Sequence, residues 1–401
     1  MKKNLSIYIH IPFCKRKCLY CDFLSQDCCT YATQLQYVDA IRTEISMYKQ
    51  FADRYLVKTI YIGGGTPTTL DESLIESILS TVRSVFEVDR FAEITIEANP
   101  GTIKYTDLLA FYSYGINRLS IGLQSANDEL LKKLGRIHNY DQFVAGITSA
   151  RRAGFKNISV DVMSGLPGQT MRDLADTLTK VMEYRPEHIS VYGLQVEEGT
   201  PLSKDSVLLA QIPDEDTDRN MYAATKTILA TNGYERYEFS NYCQPGYESR
   251  HNTVYWTGGE YLGFGIGAAS LFKGERFSNI RDIKKYLKLM EEINREMPQA
   301  GDRYQFFEKY QKMLRADVTT MYIDRRIEEF MFLGLRMMRG VSREEFRSRF
   351  NKDINEVYAP VINNYIEQGY MTEDGDRIML TDAGIDVSNY ILSDFILDDR
   401  R

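Results

Sequence analysis

Six short segments of the chain alternate between apolar and polar residues, so each segment has one apolar face and one polar face. Their apolar positions are Leu5, Ile7, Ile9 and Ile11; Ile60 and Ile62; Ile94 and Ile96; Leu119, Ile121 and Leu123; Ile158, Val160 and Val162; and Ile189 and Val191. Helical patterns lie between these segments, over residues 31–51, 71–87, 105–114, 140–153 and 170–184. Strands that alternate with helices predict β-α-β units and a parallel sheet.

The polar faces of these strands indicate which α/β fold the sheet forms. Parallel strands are normally apolar on both faces because both are buried, and a closed eight-stranded barrel fills its interior with branched side chains. Strands that keep one polar face favour a partial, open (β/α)6 TIM-like barrel, which we assign to residues 1–235. A doubly wound sheet is the alternative. In barrels of this type the chemistry lies at the carboxyl ends of the strands.

The last part of the chain loses this pattern. Residues 236–300 are interpreted as a glycine-rich connecting region, and residues 301–401 as a smaller, mostly helical domain. In that domain Ser342 is a suitable N-cap for a short helix. A second helix is predicted over residues 354–368, with two short strands within 370–380. This order of elements is typical of a winged-helix-like module.

The composition limits the classes of partner. The net charge is −7, so the chain lacks the basic footprint of a nucleic-acid-binding protein. Asp374, Asp376 and Asp382 near the predicted wing also argue against phosphate contact. No apolar run approaches the roughly 18 residues of a membrane helix, and no secretory leader is recognisable. Six cysteines in 401 residues are sparse, so we expect a reducing cytoplasm rather than a disulfide framework.

A cysteine triplet follows the first predicted strand. Cys14, Cys18 and Cys21 form C-x₃-C-x₂-C. Three thiolates so closely spaced can bind three irons of a 4Fe–4S cluster, which leaves the fourth iron open to a ligand. A structural zinc site is the alternative, but zinc usually takes two pairs of ligands. The adjacent Cys28 and Cys29 do not form a second pair of that kind, and they receive no role.

The ends of the next strands carry further candidates for ligand binding. The run Gly63-Gly64-Gly65-Thr66-Pro67-Thr68 ends the second strand, and its glycines let the backbone approach a ligand closely. It lacks the lysine of a phosphate loop. Glu97 and Asp161 are candidate acceptors for ribose hydroxyls, and Arg136 suits a two-pronged contact with a carboxylate. The alternative for the two acidic residues is a structural ion pair inside the barrel.

These motifs resemble the radical S-adenosylmethionine (SAM) superfamily and, more closely, its oxygen-independent coproporphyrinogen III oxidase family. The matching segments, in chain order, are Tyr8-Ile9-His10-Ile11-Pro12-Phe13-Cys14, the glycine run, Glu97-Ala98-Asn99-Pro100, Gly122-Leu123-Gln124-Ser125, Leu134-Gly135-Arg136 and Asp161-Val162-Met163-Ser164-Gly165-Leu166-Pro167-Gly168. The resemblance implies a 4Fe–4S cluster on the cysteine triplet, bound SAM, and an electron donor of the flavodoxin or ferredoxin class. The SAM-binding residues it implies are Tyr8, Tyr20, Asp22, Gly64, Gly65, Thr66, Glu97, Gln124, Arg136 and Asp161.

Two features favour one branch of this family. The oxidases of this family resemble C-x₃-C-x₂-C-x-C, and Phe23 stands at the position of the last cysteine. The segment His251-Asn252-Thr253-Val254-Tyr255-Trp256 resembles the H-N-x-x-Y-W motif of the haem chaperone branch. Imidazole is a common axial ligand of haem iron, so His251 is the best candidate for that role. His10 and Cys243 are alternatives. A lone histidine near aromatic residues is also often structural.

The haem chaperone branch implies that the chain binds haem and transfers it to an acceptor protein, with a membrane respiratory enzyme as one class of acceptor. No catalytic residue is assigned on this interpretation. We expect a cytoplasmic protein that can lie peripherally at the membrane, a homodimer as one possible state, and no nucleic-acid partner. The alternatives are an oxygen-independent coproporphyrinogen III oxidase and a nucleic-acid-modifying or regulatory protein.

Overall fold

Six parallel strands, joined by helices, form the centre of the molecule. The structure is a computed structural model and describes residues 2–27 and 30–397. The six strands are β1 (Lys3–Ile11), β2 (Tyr55–Gly64), β3 (Glu87–Ala98), β4 (Arg118–Gln124), β5 (Ile158–Ser164) and β6 (His188–Gly193). They lie side by side in chain order, and each neighbouring pair is parallel. The predicted α/β open barrel is confirmed.

Helices cover the outer face of these strands. They are α1 (Tyr31–Met47), α2 (Glu72–Val85), α3 (Tyr105–Ser113), α4 (Asp128–Lys133), α5 (Tyr140–Ala153), α6 (Met171–Met182) and α7 (Glu215–Thr231). The apolar faces of the strands pack against them: Ile7, Ile9 and Ile11 have no exposed surface. The opposite face holds buried hydroxyl side chains, each 4% exposed or less, namely Ser6, Thr59, Thr95, Ser120, Ser159 and Ser190. The barrel therefore has a polar interior, as its alternating strands predict.

The region after residue 235 extends the sheet at both edges. Its strands are β7 (Glu235–Arg236), β8 (Asn241–Cys243), β9 (Tyr261–Phe264), β10 (Ala269–Phe272), β11 (Glu275–Asn279) and β12 (Arg315–Thr320), and its helices are α8 (Arg250–Trp256), α9 (Ile283–Glu296) and α10 (Arg303–Leu314). Strand β9 pairs in parallel with β1. The alternating pattern misses β9 because Gly263 interrupts it. A Cβ atom on Gly263 would lie 2.3 Å from the carbonyl oxygen of Ala269.

A second, smaller hydrophobic core follows near the carboxyl end. Its elements are α11 (Ile323–Gly334), β13 (Val341–Ser342), α12 (Arg343–Phe350), α13 (Ile354–Glu367), β14 (Met371–Asp374), β15 (Arg377–Leu380), α14 (Asp382–Asp386) and α15 (Ser388–Ser393). The three strands form an antiparallel sheet in the order β13-β15-β14. The Ser342 side chain caps α12 by accepting a hydrogen bond from the Glu345 amide. The winged-helix-like arrangement predicted for this part is confirmed.

Two observations complete the description of the chain. Within the ranges that the structure describes, no helix combines the length and the apolar character needed to cross a bilayer. Cys28 and Cys29, for which the sequence offers no role, lie outside the described residues.

Candidate cofactor site

The carboxyl ends of the central strands and the loop after β1 enclose a cavity of about 340 Å³. Eleven of the predicted site residues line it: Cys14, Cys18, Tyr20, Cys21, Gly64, Gly65, Thr66, Glu97, Gln124, Arg136 and Asp161. The parallel arrangement explains the convergence, because the carboxyl ends of all six strands lie at one rim of the barrel. Segments far apart in the sequence therefore meet around one ligand-sized space.

The cysteine loop is fixed at both of its ends. Phe13 and Cys14 pair in parallel with Gln26 and Asp27, and the Cys21 amide donates a hydrogen bond to the Cys18 carbonyl over 3.3 Å. All three thiols are unpaired and partly buried. Burial raises the pKa of the Cys14 and Cys21 thiols.

The cysteine loop presents three thiols to one wall of the cavity. In a 4Fe–4S cluster held by three cysteines, each thiolate binds a different iron. The three thiols of this loop suit such a cluster.

The glycine run turns sharply beneath this loop. Gly64 has a φ of +111°, a region that glycine adopts at little cost. A Cβ atom there would lie 2.6 Å from the His10 ring, so no larger residue fits. The Gly64 amide donates a hydrogen bond to Oε2 of Glu97 over 3.1 Å. The turn therefore brings bare backbone and a carboxylate to the same wall of the cavity.

Two acidic side chains face the cavity from β3 and β5. Glu97 accepts a hydrogen bond from the Tyr61 hydroxyl over 2.8 Å, and burial raises its pKa to about 7. Asp161 accepts hydrogen bonds from the Ser120 hydroxyl at 3.2 and 3.3 Å, and burial raises its pKa as well. Neither forms the interior ion pair that the sequence leaves open. Within the described chain, no basic side chain lies at ion-pair distance from either carboxylate.

Arg136 connects the cysteine loop to the rest of the site. Its Nη1 donates a hydrogen bond to the sulfur of Cys18 over 3.6 Å, and its Nη2 donates to Oδ1 of Asn99 over 2.7 Å. The Asn99 amide in turn donates to the Thr66 hydroxyl over 2.8 Å, and Thr66 donates to the Cys14 sulfur over 3.7 Å. Nε of Arg136 is buried and has no hydrogen-bond partner in the described chain, so the guanidinium has donor capacity left for an anionic group.

Two residues predicted to contact SAM lie outside the cavity wall. Asp22 is exposed. Tyr8 stands behind the wall: its ring stacks on Tyr61 at a centroid distance of 6.2 Å, and its hydroxyl lies 3.0 Å from Nδ1 of His10. The contacts that the resemblance implies for these two side chains remain predictions.

His251 is buried inside the barrel, behind the cavity wall: its ring centroid lies 5.1 Å from that of Tyr61, which lines the cavity. It is 1% exposed and is the second residue of α8. Its Nδ1 lies 2.7 Å from the Thr59 hydroxyl, and its Nε2 lies 2.9 Å from the Tyr255 hydroxyl. Burial lowers the pKa of this imidazole to about 3, so the ring is neutral at physiological pH. Both nitrogens are engaged, and coordination of an iron would require one of these hydrogen bonds to break.

The two alternative haem ligands are also enclosed. Both ring nitrogens of His10 are engaged, Nδ1 by Tyr8 and Nε2 by the Leu24 carbonyl at 2.8 Å. Cys243 is 1% exposed and belongs to a small cluster with Tyr237, Met337 and Trp256. Burial raises the pKa of the Cys243 thiol to about 12. The axial ligand therefore remains a prediction from the sequence.

Several residues of the cavity wall were not predicted. They include Tyr61, Asn99, Arg118, Ser190, Tyr192 and Asn252. Asn99 lies within a motif that carries the family resemblance, so a signal for it exists. Arg118 stands at the first position of β4, is 2% exposed and has an Nε without a partner in the described chain. Its sequence neighbourhood does not distinguish it from a surface arginine.

Comparison with known proteins places this site in a family. The profile of the Radical SAM superfamily matches residues 8–181, and that of the HemN C-terminal domain matches residues 324–387. The haem chaperone HemW of Lactococcus lactis is 35% identical over 401 residues, covering 100% of this chain and 99% of the relative. HemW of Bacillus subtilis is 33% identical and covers 98% and 99%, and HemW of Escherichia coli is 32% identical and covers 98% of each chain.

A solved structure shows the same fold over nearly the whole chain. Coproporphyrinogen III oxidase (HemN) from Escherichia coli, described as a radical SAM enzyme, superposes with a TM-score of 0.81 at 23% identity, covering 98% of this chain and 90% of the other. A 4Fe–4S cluster and SAM follow from the superfamily, and the cysteine loop and the open donors of the cavity fit both. The chain belongs to the radical SAM superfamily and, within it, to the HemW family.

Proposed function

We propose that this protein is a haem chaperone that binds haem, a 4Fe–4S cluster and SAM, and transfers haem to an acceptor protein. The observation that carries the proposal is similarity over the entire length to proteins named haem chaperones, at 30–35% identity. That similarity includes both the cofactor cavity and the second core.

The cofactor cavity has a specific part in this proposal. Cys14, Cys18 and Cys21 would hold the cluster, and SAM bound to the open iron would supply one-electron chemistry when a reductant is present. Glu97 and Asp161 would accept hydrogen bonds from the ribose hydroxyls, a role supported by the fact that both line the cavity without a cationic partner in the described chain. The free Nε of Arg136 suits the SAM carboxylate.

The alternative is oxygen-independent oxidation of coproporphyrinogen III. The structural likeness to HemN is below 25% identity, so it supports the fold and not the activity. Phe23, at the position where the sequence resemblance implies a fourth cysteine in those oxidases, is 68% exposed and lines the cavity. We favour the chaperone because this departure falls within the cysteine loop.

One preparation tests the two functions together. The protein is reconstituted with iron and sulfide under anaerobic conditions and titrated with haemin. We expect a shifted Soret band that saturates near one haem per chain, and no conversion of coproporphyrinogen III when SAM and dithionite are added. Absence of any Soret shift would refute the chaperone proposal. Turnover of coproporphyrinogen III would restore the oxidase.

The remaining partners are part of the same proposal. Haem transfer requires an acceptor, of which a membrane respiratory enzyme is one class, and reduction of the cluster requires a flavodoxin or ferredoxin. A cytoplasmic location, peripheral to the membrane during transfer, fits these partners. A homodimer remains a prediction.

A further inference from the structure

A second cleft lies at the end of the sheet opposite the cofactor cavity. Its volume is about 1420 Å³, roughly four times that of the cofactor cavity. Lys3 opens β1, Tyr55 opens β2 and Glu260 precedes β9, so this wall of the cleft is the amino end of three parallel strands. The opposite wall comes from α11 and α12 of the second core, including Phe330 and Phe350. The two hydrophobic cores thus meet around this space.

The cleft has an unbalanced positive charge. Four of its cations, Lys3, Arg54, Lys273 and Arg326, are exposed and have no carboxylate within ion-pair distance in the described ranges. The cleft wall also holds three acidic residues: Glu329 is already paired with Arg276, Glu260 accepts a hydrogen bond from the Lys273 amide over 2.8 Å, and Asp53 is exposed. The described wall thus carries six cations, Lys2, Lys3, Arg54, Lys273, Arg326 and Arg349, against three carboxylates. Unpaired cations around a concave surface attract an anionic ligand.

The same cleft has apolar walls between these cations. Leu271 and Met321 contribute from the sheet side, and Phe330 and Phe350 contribute from the second core. Sites for small molecules are typically apolar with a few polar groups that fix orientation, and they commonly lie between domains. The chemistry of the cleft therefore matches an apolar ligand that also carries anionic groups.

The segment that follows the H-N-x-x-Y-W helix reaches this cleft. Helix α8 ends at Trp256, and the carbonyl of the next residue, Thr257, accepts a hydrogen bond from Nη1 of Arg349 over 2.8 Å. Gly258 then lines the cleft together with Arg349. The motif itself is enclosed, with His251 inside the barrel and Trp256 packed against the cluster of Tyr237, Cys243 and Met337, and the chain reaches the cleft only at Gly258.

We infer that this cleft holds the haem, with its propionates on the unpaired cations and its ring between the apolar walls. The inference rests on the proposed function, because haem is the ligand of that function. No histidine or cysteine is among the described residues of the cleft wall. Tyrosine and methionine can also bind haem iron, but Tyr55 and Met321 of this wall are only 3% and 7% exposed. Recognition here rests on the macrocycle and its carboxylates, so metal-free protoporphyrin IX binds as well. A site without a strong nitrogen or sulfur ligand suits a carrier that releases its cargo.

Charge reversal at three exposed positions tests the inference in the full-length protein. The cleft variant combines Lys3→Glu, Arg54→Glu and Arg326→Glu. The matched control combines Lys156→Glu, Lys284→Glu and Lys288→Glu, which are exposed cations without an ion-pair partner in the described chain. Haemin and protoporphyrin IX are titrated into both variants. We expect the cleft variant to bind each at least tenfold more weakly, and the control to bind within about twofold of wild type.

The other outcomes are distinguishable. If wild type binds haemin and the cleft variant binds it equally well, the cleft is not the site. The same holds if His251→Gln abolishes binding of haemin while the cleft variant retains it. If wild type binds no haemin, the proposed function itself fails. SAM binding by the cluster-loaded cleft variant serves as the folding control, because the cofactor cavity is at the opposite end of the sheet.

Discussion

Arg136 donates a hydrogen bond from Nη1 to the sulfur of Cys18 over 3.6 Å. Through Nη2 the same guanidinium donates to Asn99 over 2.7 Å, which connects it to Thr66 and the glycine run. One side chain therefore connects Cys18, which we propose as a cluster ligand, to the loop that we propose binds SAM. Its charge also faces sulfur atoms that become anionic when they bind iron.

Replacing Arg136 by lysine is expected to weaken SAM binding at least tenfold, which is about 1.4 kcal/mol. Lysine keeps the charge but not the planar fork, so it cannot serve Cys18, Asn99 and a ligand carboxylate together. The measurement is a titration of cluster-loaded protein with SAM, followed by the change in the cluster's EPR spectrum. Arg172→Lys, on the exposed face of α6, is the control. Equal SAM affinity in Arg136→Lys and wild type would contradict this role.

SAM affinity is expected to fall as the pH is lowered from 8 to 6. Burial raises the pKa of Glu97 to about 7, and the groups that face this carboxyl are Tyr61, Asp161 and the Gly64 amide. If the ionised carboxylate accepts from the ribose hydroxyls, affinity falls by up to about tenfold for each pH unit below that pKa. Titrations at several pH values measure this. Glu97→Gln is expected to flatten the profile, and a wild-type profile that is already flat would refute the assignment.

Glu44 provides a pH dependence of stability that is independent of the cofactors. It has no exposed surface and accepts hydrogen bonds from Tyr286, Asn279 and the Gly265 amide. Burial raises its pKa from 4.5 to about 7, so the folded state holds the proton more tightly than the unfolded state. Its contribution to the free energy of unfolding is therefore complete below pH 4.5 and is lost as the pH rises to about 7.

The substitution Glu44→Gln is expected to reveal this contribution to the free energy of unfolding. As the pH rises from 5 to 8, the wild type should lose free energy of unfolding relative to the variant, by at most about 3 kcal/mol. Denaturant unfolding at a series of pH values gives the difference. Glu308→Gln, at an exposed position, should show no such trend. A constant difference across this range for Glu44→Gln would mean that the carboxyl titrates normally.

Gly64→Ala is expected to prevent assembly of the cofactor site. An alanine Cβ would lie 2.6 Å from the His10 ring, at a φ of +111° that alanine rarely adopts. Gly246→Ala is the matched control, since Gly246 also has a positive φ but no atom within 4 Å of the added Cβ. Iron and sulfide content after anaerobic reconstitution measures assembly. Equal content in the two variants would show that the turn tolerates a side chain.

The sequence predicts the six central strands because each of them buries one face and turns the other toward a polar interior. It also predicts most of the cofactor cavity, since those residues lie in short motifs at the strand ends. Contacts between distant positions leave no such signal. His251 is 192 residues from Thr59, its partner in the interior, and Arg118 enters the interior from the start of its strand. Local pattern therefore identifies His251 without predicting its surroundings, and it does not identify Arg118.

His251→Gln separates a structural role of the imidazole from a role as haem ligand. Both ring nitrogens lie within 2.9 Å of hydroxyl groups in the barrel interior, so we expect the substitution to reduce the free energy of unfolding by about 2 kcal/mol, the loss of two buried hydrogen bonds. The haem affinity of the folded variant should remain within about threefold of wild type. Unfolding in denaturant and haemin titration below the transition measure the two quantities. Loss of the shifted Soret band at unchanged stability would instead identify His251 as the axial ligand, because a residue with only structural contacts cannot alter the haem spectrum without altering the fold.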